Sequence, residues 1–250
     1  MTHLWKRSNS GIFTIGALGV AAAAISLILV TPVLAQQAAA PAGGADHVAA
    51  IKQSLQQSAV ALHQYQWVET TAISLKGEEK SRTQKSCYYG ADGEVQKTPI
   101  GEPPPEPKKK RGLRGKIVEK KKGEISESMQ EAIALVKQYV PPDPARIQAA
   151  KDAGKLSLVP PDAQGNVKVT ISDYLKTGDS LSIDLNAAKN VISGMTVASF
   201  TDKVKDAVRL NVAFSSLADE TIYASKIHLE VASENLAVDI KNSGYKKLGG

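Results

Sequence analysis

The sequence predicts an α+β domain in which an antiparallel β-sheet is covered on one face by about three helices. Three observations lead there. Apolar and polar residues alternate along most of 65–100 and 166–241, the period-two pattern of half-buried strands. Three other segments, about 47–64, 128–140 and 143–154, carry helical apolar spacing or capping signals. Short polar turns separate the strand runs, which favours an antiparallel meander with one apolar and one wet face.

Taken in order, helix 1 spans about 47–64, with Asp46 placed to cap it and Val48, Ile51, Leu55, Ala59 and Leu62 forming one stripe. Beyond Tyr65 the period changes to two. "YQWVETTAISLKG" is a first strand, "KSRTQKSCYYG" a second and "EVQKTPI" a third. Asp92-Gly93 joins the last two as a hairpin turn, because these residues tolerate positive φ.

"PPPEPKKKRGLRGKIVEKKKGE" follows, Pro-rich and then Lys-rich. Its composition cannot bury enough apolar surface to offset ordering, so a mobile basic insertion is expected over about 101–125. A helical pair is expected at about 126–154. Helix 2, "SMQEAIALVKQYV", has Ser128 and Glu131 as a capping box and Met129, Ile133, Val136 and Val140 as a stripe. Helix 3, "DPARIQAAKDAG", has Asp143 as N-cap, Pro144 at its first position and Gly154 at its end.

The remaining strands point one set of side chains inward. "VKVTI" contributes Val167, Val169 and Ile171, and "LSIDL" Leu181, Ile183 and Leu185. "NVISGMTVASF" is less polarised. "VRLNVAF" contributes Val208, Leu210, Val212 and Phe214; "IHLEV" Ile227, Leu229 and Val231; "LAVDI" Leu236, Val238 and Ile240. The apolar face of such a sheet needs a cover, and the three helical stripes can supply it.

The N-terminus reads as an export signal. Lys6 and Arg7 precede an uncharged apolar run from Ile12 to Val30, and Val33-Leu34-Ala35 supplies the small residues of a cleavage site. The alternative is an uncleaved anchor, since the run approaches membrane-spanning length. Cleavage after Ala35 defines 1–35 as signal peptide, 36–45 as a small-residue linker and 46–250 as a single domain of a periplasmic protein.

Of the 250 residues, 31 are basic and 25 acidic. Loss of the 35-residue signal, which holds two of the basic residues, leaves 215 residues with net charge +4. The basic run alone carries +8: Lys108, Lys109, Lys110, Arg111, Arg114, Lys116, Lys120, Lys121 and Lys122 against Glu119. The rest of the mature chain sums to −4. A nucleic-acid binder spreads positive charge over a folded face, so nucleic acid is excluded as the partner. The run is instead a candidate contact for an anionic membrane surface or an acidic envelope protein.

Catalytic signals are thin. Gly178-Asp179-Ser180-Leu181 spells the motif of the GDSL hydrolases, whose serine is a nucleophile paired with a late Asp-x-x-His. Here the string opens a strand, and His228 is preceded by Ser225 where that aspartate belongs. His47 and His63 are far apart on helix 1, no histidine–carboxylate cluster has metal-ligand spacing, and no Gly-rich phosphate loop follows a strand. Neither a metal, a cofactor nor a catalytic residue is predicted. Cys87 is the single cysteine, so it forms no intramolecular disulfide. Burial within its strand is expected.

The element order (exported N-terminus, amphipathic helix, meander, helical insertion, long meander) resembles the periplasmic lipoprotein-carrier family of LolA-like proteins. "NVAFSSLADETIYASKIHLEVASENLAVDIKNSGYKKL" (211–248) is similar to that family's two closing strands. Over about 46–248 the resemblance implies an open half-barrel whose cavity under the helices receives acyl chains. Trp67, Ile73, Val169, Ile171, Leu181 and Ile183 would then face the cavity. So would Met195, Val197, Leu210, Val212, Phe214, Leu229, Val231, Val238 and Ile240. The family's lid-locking arginine has no assigned counterpart; Arg82 lies in an early strand. An interior poor in bulky aromatics fits a lipid-sized pocket and a packed aliphatic core alike.

Three functions follow. One is a monomeric, non-enzymatic carrier or sensor of a lipid or lipoprotein acyl group. A second is a structural adaptor docking through the basic run. The third is a GDSL-type hydrolase.

Overall fold

The computed structural model describes residues 44–101, 113–202 and 206–249, with side chains placed for 53–101, 123–202 and 206–249. The expected signal peptide, most of the linker and Lys108–Arg111 lie outside the described residues. Helix α1 (Gly44–Leu62) leads into β1 (Tyr65–Leu75), β2 (Glu78–Tyr89) and β3 (Val95–Pro99). Helices α2 (Leu113–Val136) and α3 (Pro144–Asp152) follow. Then come β4 (Leu156–Val159), β5 (Asn166–Ser172), β6 (Ser180–Asn186), β7 (Val191–Phe200), β8 (Ala207–Ser216), β9 (Ile222–Val231) and β10 (Leu236–Lys247).

All the strands form one ten-stranded sheet in the order β3-β2-β1-β10-β9-β8-β7-β6-β5-β4. Every neighbouring pair is antiparallel. The edges β3 and β4 do not pair with each other, so the sheet is open, a half-barrel covered by three helices. The expected α+β class is the observed one. The β2–β3 turn has Gly93 at φ +77°, and Asp92 Oδ1 accepts from the Glu94 N–H at 3.0 Å, so the Asp-Gly turn forms as expected.

Two elements differ from expectation. Helix α2 begins at Leu113, not near Ser128, so Ser128 and Glu131 sit within the helix instead of capping it. Residues 113–125, expected as part of the loop, are therefore helical. "LRGKIVEKKKGE" holds two glycines among Leu, Arg, Lys, Ile and Glu, several of them strong helix formers. Low apolar content was the wrong guide there. The second difference is β4, four residues that the alternation in "LSLV" is too short to announce.

Cross-strand register shows why the sheet has two distinct faces. Ile171, Leu181, Val197, Leu210, Leu229, Val238 and Ile73 lie directly opposite one another along seven consecutive strands. Paired residues share a face, so this row is a continuous aliphatic band. Leu181, Val197, Leu229 and Val238 are fully buried. Each such side chain contributes roughly 1.5–3 kcal/mol of burial free energy.

The helices cover this face at different places. α1 packs on β9 and β7, α2 on β9, and α3 on β4 and β5. Met129, Ala132 and Val136 of α2 and Ala150 of α3 join the core cluster, and Leu55 of α1 packs against it. Ser58 of α1 is buried, and its hydroxyl accepts from the Ile222 N–H at 2.9 Å, pinning α1 to the start of β9. α3 has the expected cap: Asp143 accepts from the Ala145 N–H at 2.9 Å, with Pro144 opening the helix.

Candidate functional site

The residues expected to face a cavity all alternate onto the helix-covered face or its aromatic end. Ile171, Leu181, Ile183, Met195, Val197, Leu210, Val212, Leu229, Val231, Val238 and Ile240 are buried in one cluster. Ile73 and Phe214 are partly buried and pack against it, while Val169 is half-buried beside it on β5. The helices cover this face.

At the β1–β2–β10 end the aliphatic band gives way to aromatics. Trp67 is buried, stacks on Tyr245 at 5.6 Å between centroids, and leans on Tyr89 at 5.6 Å. Tyr245 meets Tyr223 at 4.4 Å, and Tyr89 stacks on His63 at 4.2 Å. Beneath them Glu69 accepts from Lys97 at 2.5 Å, both side chains largely buried. Among the described residues, Trp67 Nε1 and Asn242 Oδ1 are buried without a hydrogen-bond partner. Cys87 is fully buried opposite Trp67. Burial, with the Glu69 charge adding to it, pushes its thiol up to about 11. Period-two reading found Trp67 and Cys87 but not this cluster, which assembles from strands distant in sequence.

Asp219 closes the same end. It accepts from the Tyr65 hydroxyl at 2.5 Å and pairs with Lys247 at 3.2 Å, joining the β8–β9 turn to β1 and β10. The Tyr65 hydrogen bond, with further bonds from Thr221 and Lys247, holds its carboxyl well below the usual range.

The GDSL string has a structural role. Asp179 is buried, and its carboxylate accepts from the Tyr139 hydroxyl at 2.5 Å, the Lys176 N–H at 2.9 Å and the Leu175 N–H at 3.2 Å. Tyr139, fully buried after α2, also lies 2.7 Å from Ser199 Oγ. Tyr139 stacks on Tyr174, whose hydroxyl accepts from the Asp143 N–H at 2.6 Å. The buried carboxylate thus ties the β5–β6 loop to the turn after α2, and the Tyr174 hydroxyl ties the same loop to the start of α3.

Ser180 faces the other side of the sheet, in a row with Ala198, Arg209 and Glu230. His228 is on that side too, but three strands away and in the next row. At the ~4.8 Å interstrand spacing that is about 14 Å, beyond reach of a general base. His228 Nδ1 instead meets Asp239 Oδ1 of β10 at 2.7 Å. Among the described residues no group of three His, Cys, Asp or Glu side chains could hold a metal ion.

The polar side of the sheet carries a groove of about 740 Å³ that reaches from β2 to β6. Arg82, Lys226, His228, Asp239, Lys241 and Asp184 are among its lining. Arg82 pairs with Glu79 there, at 2.6 and 2.9 Å, facing away from the helices. The sequence places these residues on the wet face, but only the register brings them together. Of the basic run, 114–122 belongs to the first turns of α2, and Lys108–Arg111 fall outside the described residues.

No family model and no curated protein matches the chain. Among solved structures it is similar to a LolA superfamily protein from Nitrosomonas europaea, with 10% identity and a TM-score of 0.34 over 79% of this chain and 94% of that one. It is also similar to an outer membrane lipoprotein-sorting protein domain from Vibrio parahaemolyticus, with 9% identity and a TM-score of 0.35 over 79% of this chain and 92% of that one. A DUF1329 family protein from Desulfovibrio piger is similar with 9% identity and a TM-score of 0.31, over 81% of this chain and 93% of that one.

Proposed function

We propose that this chain is an exported, monomeric, non-enzymatic carrier or sensor that holds the acyl part of a lipid or lipoprotein between the sheet and its helices. One observation carries the reading: the aliphatic band crosses seven strands without interruption and, among the described residues, is covered by helices. A second sheet would lock such a face shut. Helices docked at separate points can shift, and an acyl chain that takes their place gains about 0.8 kcal/mol per buried methylene. In this reading the fully buried Leu181, Val197, Leu229 and Val238 contact helix in the closed state and ligand in the loaded one.

The basic residues from Lys108 to Lys122 would bring the carrier to anionic lipid or to an acidic envelope protein during exchange. Native mass spectrometry of protein recovered from the periplasm, followed by lipid extraction, tests the whole proposal. The expected result is a chain starting at Gln36 with bound acyl-containing species. Ligand-free protein that also fails to take up a fluorescent acyl probe overturns the carrier reading. A full-length chain retained in the inner membrane overturns export.

A further inference from the structure

The groove on the polar side contains a charge arrangement that the acyl reading does not use. Lys226 of β9 and Lys241 of β10 are directly opposite each other in register. The same row continues through Thr70 of β1 to Gln84 of β2 on one side and to Ala213 of β8 on the other. All five residues line the groove.

Like charges directly opposite on neighbouring strands repel and destabilise the pairing. Of the other charged side chains of the groove, Arg82 pairs with Glu79 and Asp184 with Lys168, while the Asp239 carboxylate meets His228 Nδ1 at 2.7 Å. Among the described residues, the Lys226 and Lys241 ammonium groups have neither an ion pair nor a hydrogen bond. The two ammonium groups of this row are therefore without an ion-pair partner, with the Asp239 carboxylate one row away on the same face.

Neutral donors surround that row. Gln84 Nε2 donates to Thr70 Oγ1 at 3.2 Å, which leaves the Thr70 hydroxyl proton free to donate elsewhere. In the adjacent row Thr196 donates to Asn211 Oδ1 at 3.2 Å, which leaves the Asn211 amide N–H groups unused by that bond. His228 Nδ1 is engaged by Asp239, so its Nε2 is the ring nitrogen left for a ligand. Lysine binds phosphate as a point charge, and two ammonium groups side by side suit an anion with several oxygens. The groove volume, about 740 Å³, is that of a small-molecule site and larger than a bare phosphate needs.

We propose that the polar groove binds a phosphate group carried on a hydroxyl-rich body, such as a glycerol or sugar phosphate, with the phosphate between Lys226 and Lys241 and the hydroxyls over Thr70, Asn211 and Thr196. The site lies on the opposite side of the sheet from the acyl surface and does not depend on it. It serves a soluble phosphorylated polyol or the phosphorylated headgroup of a lipid by the same contacts.

The test is calorimetric titration of the mature chain with glycerol 3-phosphate at fixed ionic strength, with sodium chloride as the control. Wild type is expected to bind, and Lys226→Gln and Lys241→Gln to bind at least tenfold more weakly. Lys241→Glu is expected to abolish binding while raising the melting temperature of the ligand-free protein, because an opposite-charge pair replaces the like pair. That rise separates a lost site from a damaged fold. Vesicles containing phosphatidylglycerol, offered to protein whose 108–122 lysines and arginines are changed to glutamine, identify the source. Vesicle binding lost in Lys226→Gln assigns the lipid headgroup; glycerol phosphate binding without vesicle binding assigns the soluble ligand. Wild type responding to glycerol phosphate no more than to chloride, or Lys226→Gln and Lys241→Gln binding as wild type does, overturns the proposal.

Discussion

The Tyr139 hydroxyl donates to the carboxylate of Asp179 at 2.5 Å, in a buried contact between residues forty positions apart. It joins the turn after α2 to the residue that precedes β6, and Ser199 of β7 completes the contact. A buried carboxylate tolerates its surroundings only when its oxygens are satisfied, and here two backbone N–H groups and one phenol do so.

Tyr139→Phe removes the phenol from that set and should cost about 1–3 kcal/mol. Asp179→Ala should cost more, since the Leu175 and Lys176 N–H groups lose their acceptor as well. Urea unfolding of residues 36–250 measures both. A Tyr139→Phe protein as stable as wild type would show that the contact contributes nothing.

Alkaline pH should unfold the protein in a way that reports the buried phenols. Burial raises Tyr139, Tyr174 and Tyr245, with Asp179 adding to the effect on Tyr139 and Tyr223 on Tyr245. In the unfolded chain these groups ionise near the ordinary value of about 10, while in the folded chain they stay protonated. The unfolded state then binds fewer protons, so stability is full below about pH 10 and falls as pH rises above it. Tyr139→Phe should lose stability less steeply over that range. A pH-independent melting temperature between 9 and about 11.5 contradicts this linkage.

Ser180→Ala and His228→Ala should leave a serine-reactive fluorophosphonate probe with the same result as wild type, namely no labelling. The basis is the separation of about 14 Å across three strand spacings. Labelling of wild type that Ser180→Ala removes, with folding intact, would restore the hydrolase.

Cys87 should resist a thiol reagent such as dithionitrobenzoate in the native state and react once on unfolding. It is fully buried, and with its thiol at about 11 only about 0.1% is thiolate at pH 8. Rapid native reaction at neutral pH would mean that the β1–β2 end opens readily.

Changing the basic residues of 108–122 to glutamine should remove most of the salt-sensitive binding to anionic vesicles, leaving only what the Lys226–Lys241 groove contributes, and leave the melting temperature nearly unchanged. Glutamine is the right replacement, because residues from Leu113 onward are helical and glycine would cost about 1 kcal/mol at each helical position. A wild type that shows no salt-sensitive association with vesicles or acidic envelope proteins would leave the run a solvated segment.

Much of this protein was legible in one dimension. Alternation assigned Leu181, Leu210, Leu229 and Val238 to the inner face because a strand's side chains change sides at every residue, whatever its partners are. Asp143-Pro144 marked the start of α3 because capping is local chemistry. Cys87 was legible as buried from its residue type and strand setting. The reading of 113–125 failed because it weighed burial capacity and neglected helix propensity, which local hydrogen bonding satisfies without a core.

What the tertiary structure alone decided is which strands meet and in what register. The first strand pairs with the last, Ile73 against Val238, and no local pattern encodes a pairing across that length of chain. The same register put Lys226 opposite Lys241 and moved Ser180 away from His228, while the packing of the turn after α2 on the β5–β6 loop gave Asp179 to Tyr139. Period and capping are properties of a few neighbouring residues, so the chain displays them in order. Cross-strand neighbours are chosen by the packing of the whole sheet under its helices, and a one-residue shift would exchange the faces of every pair.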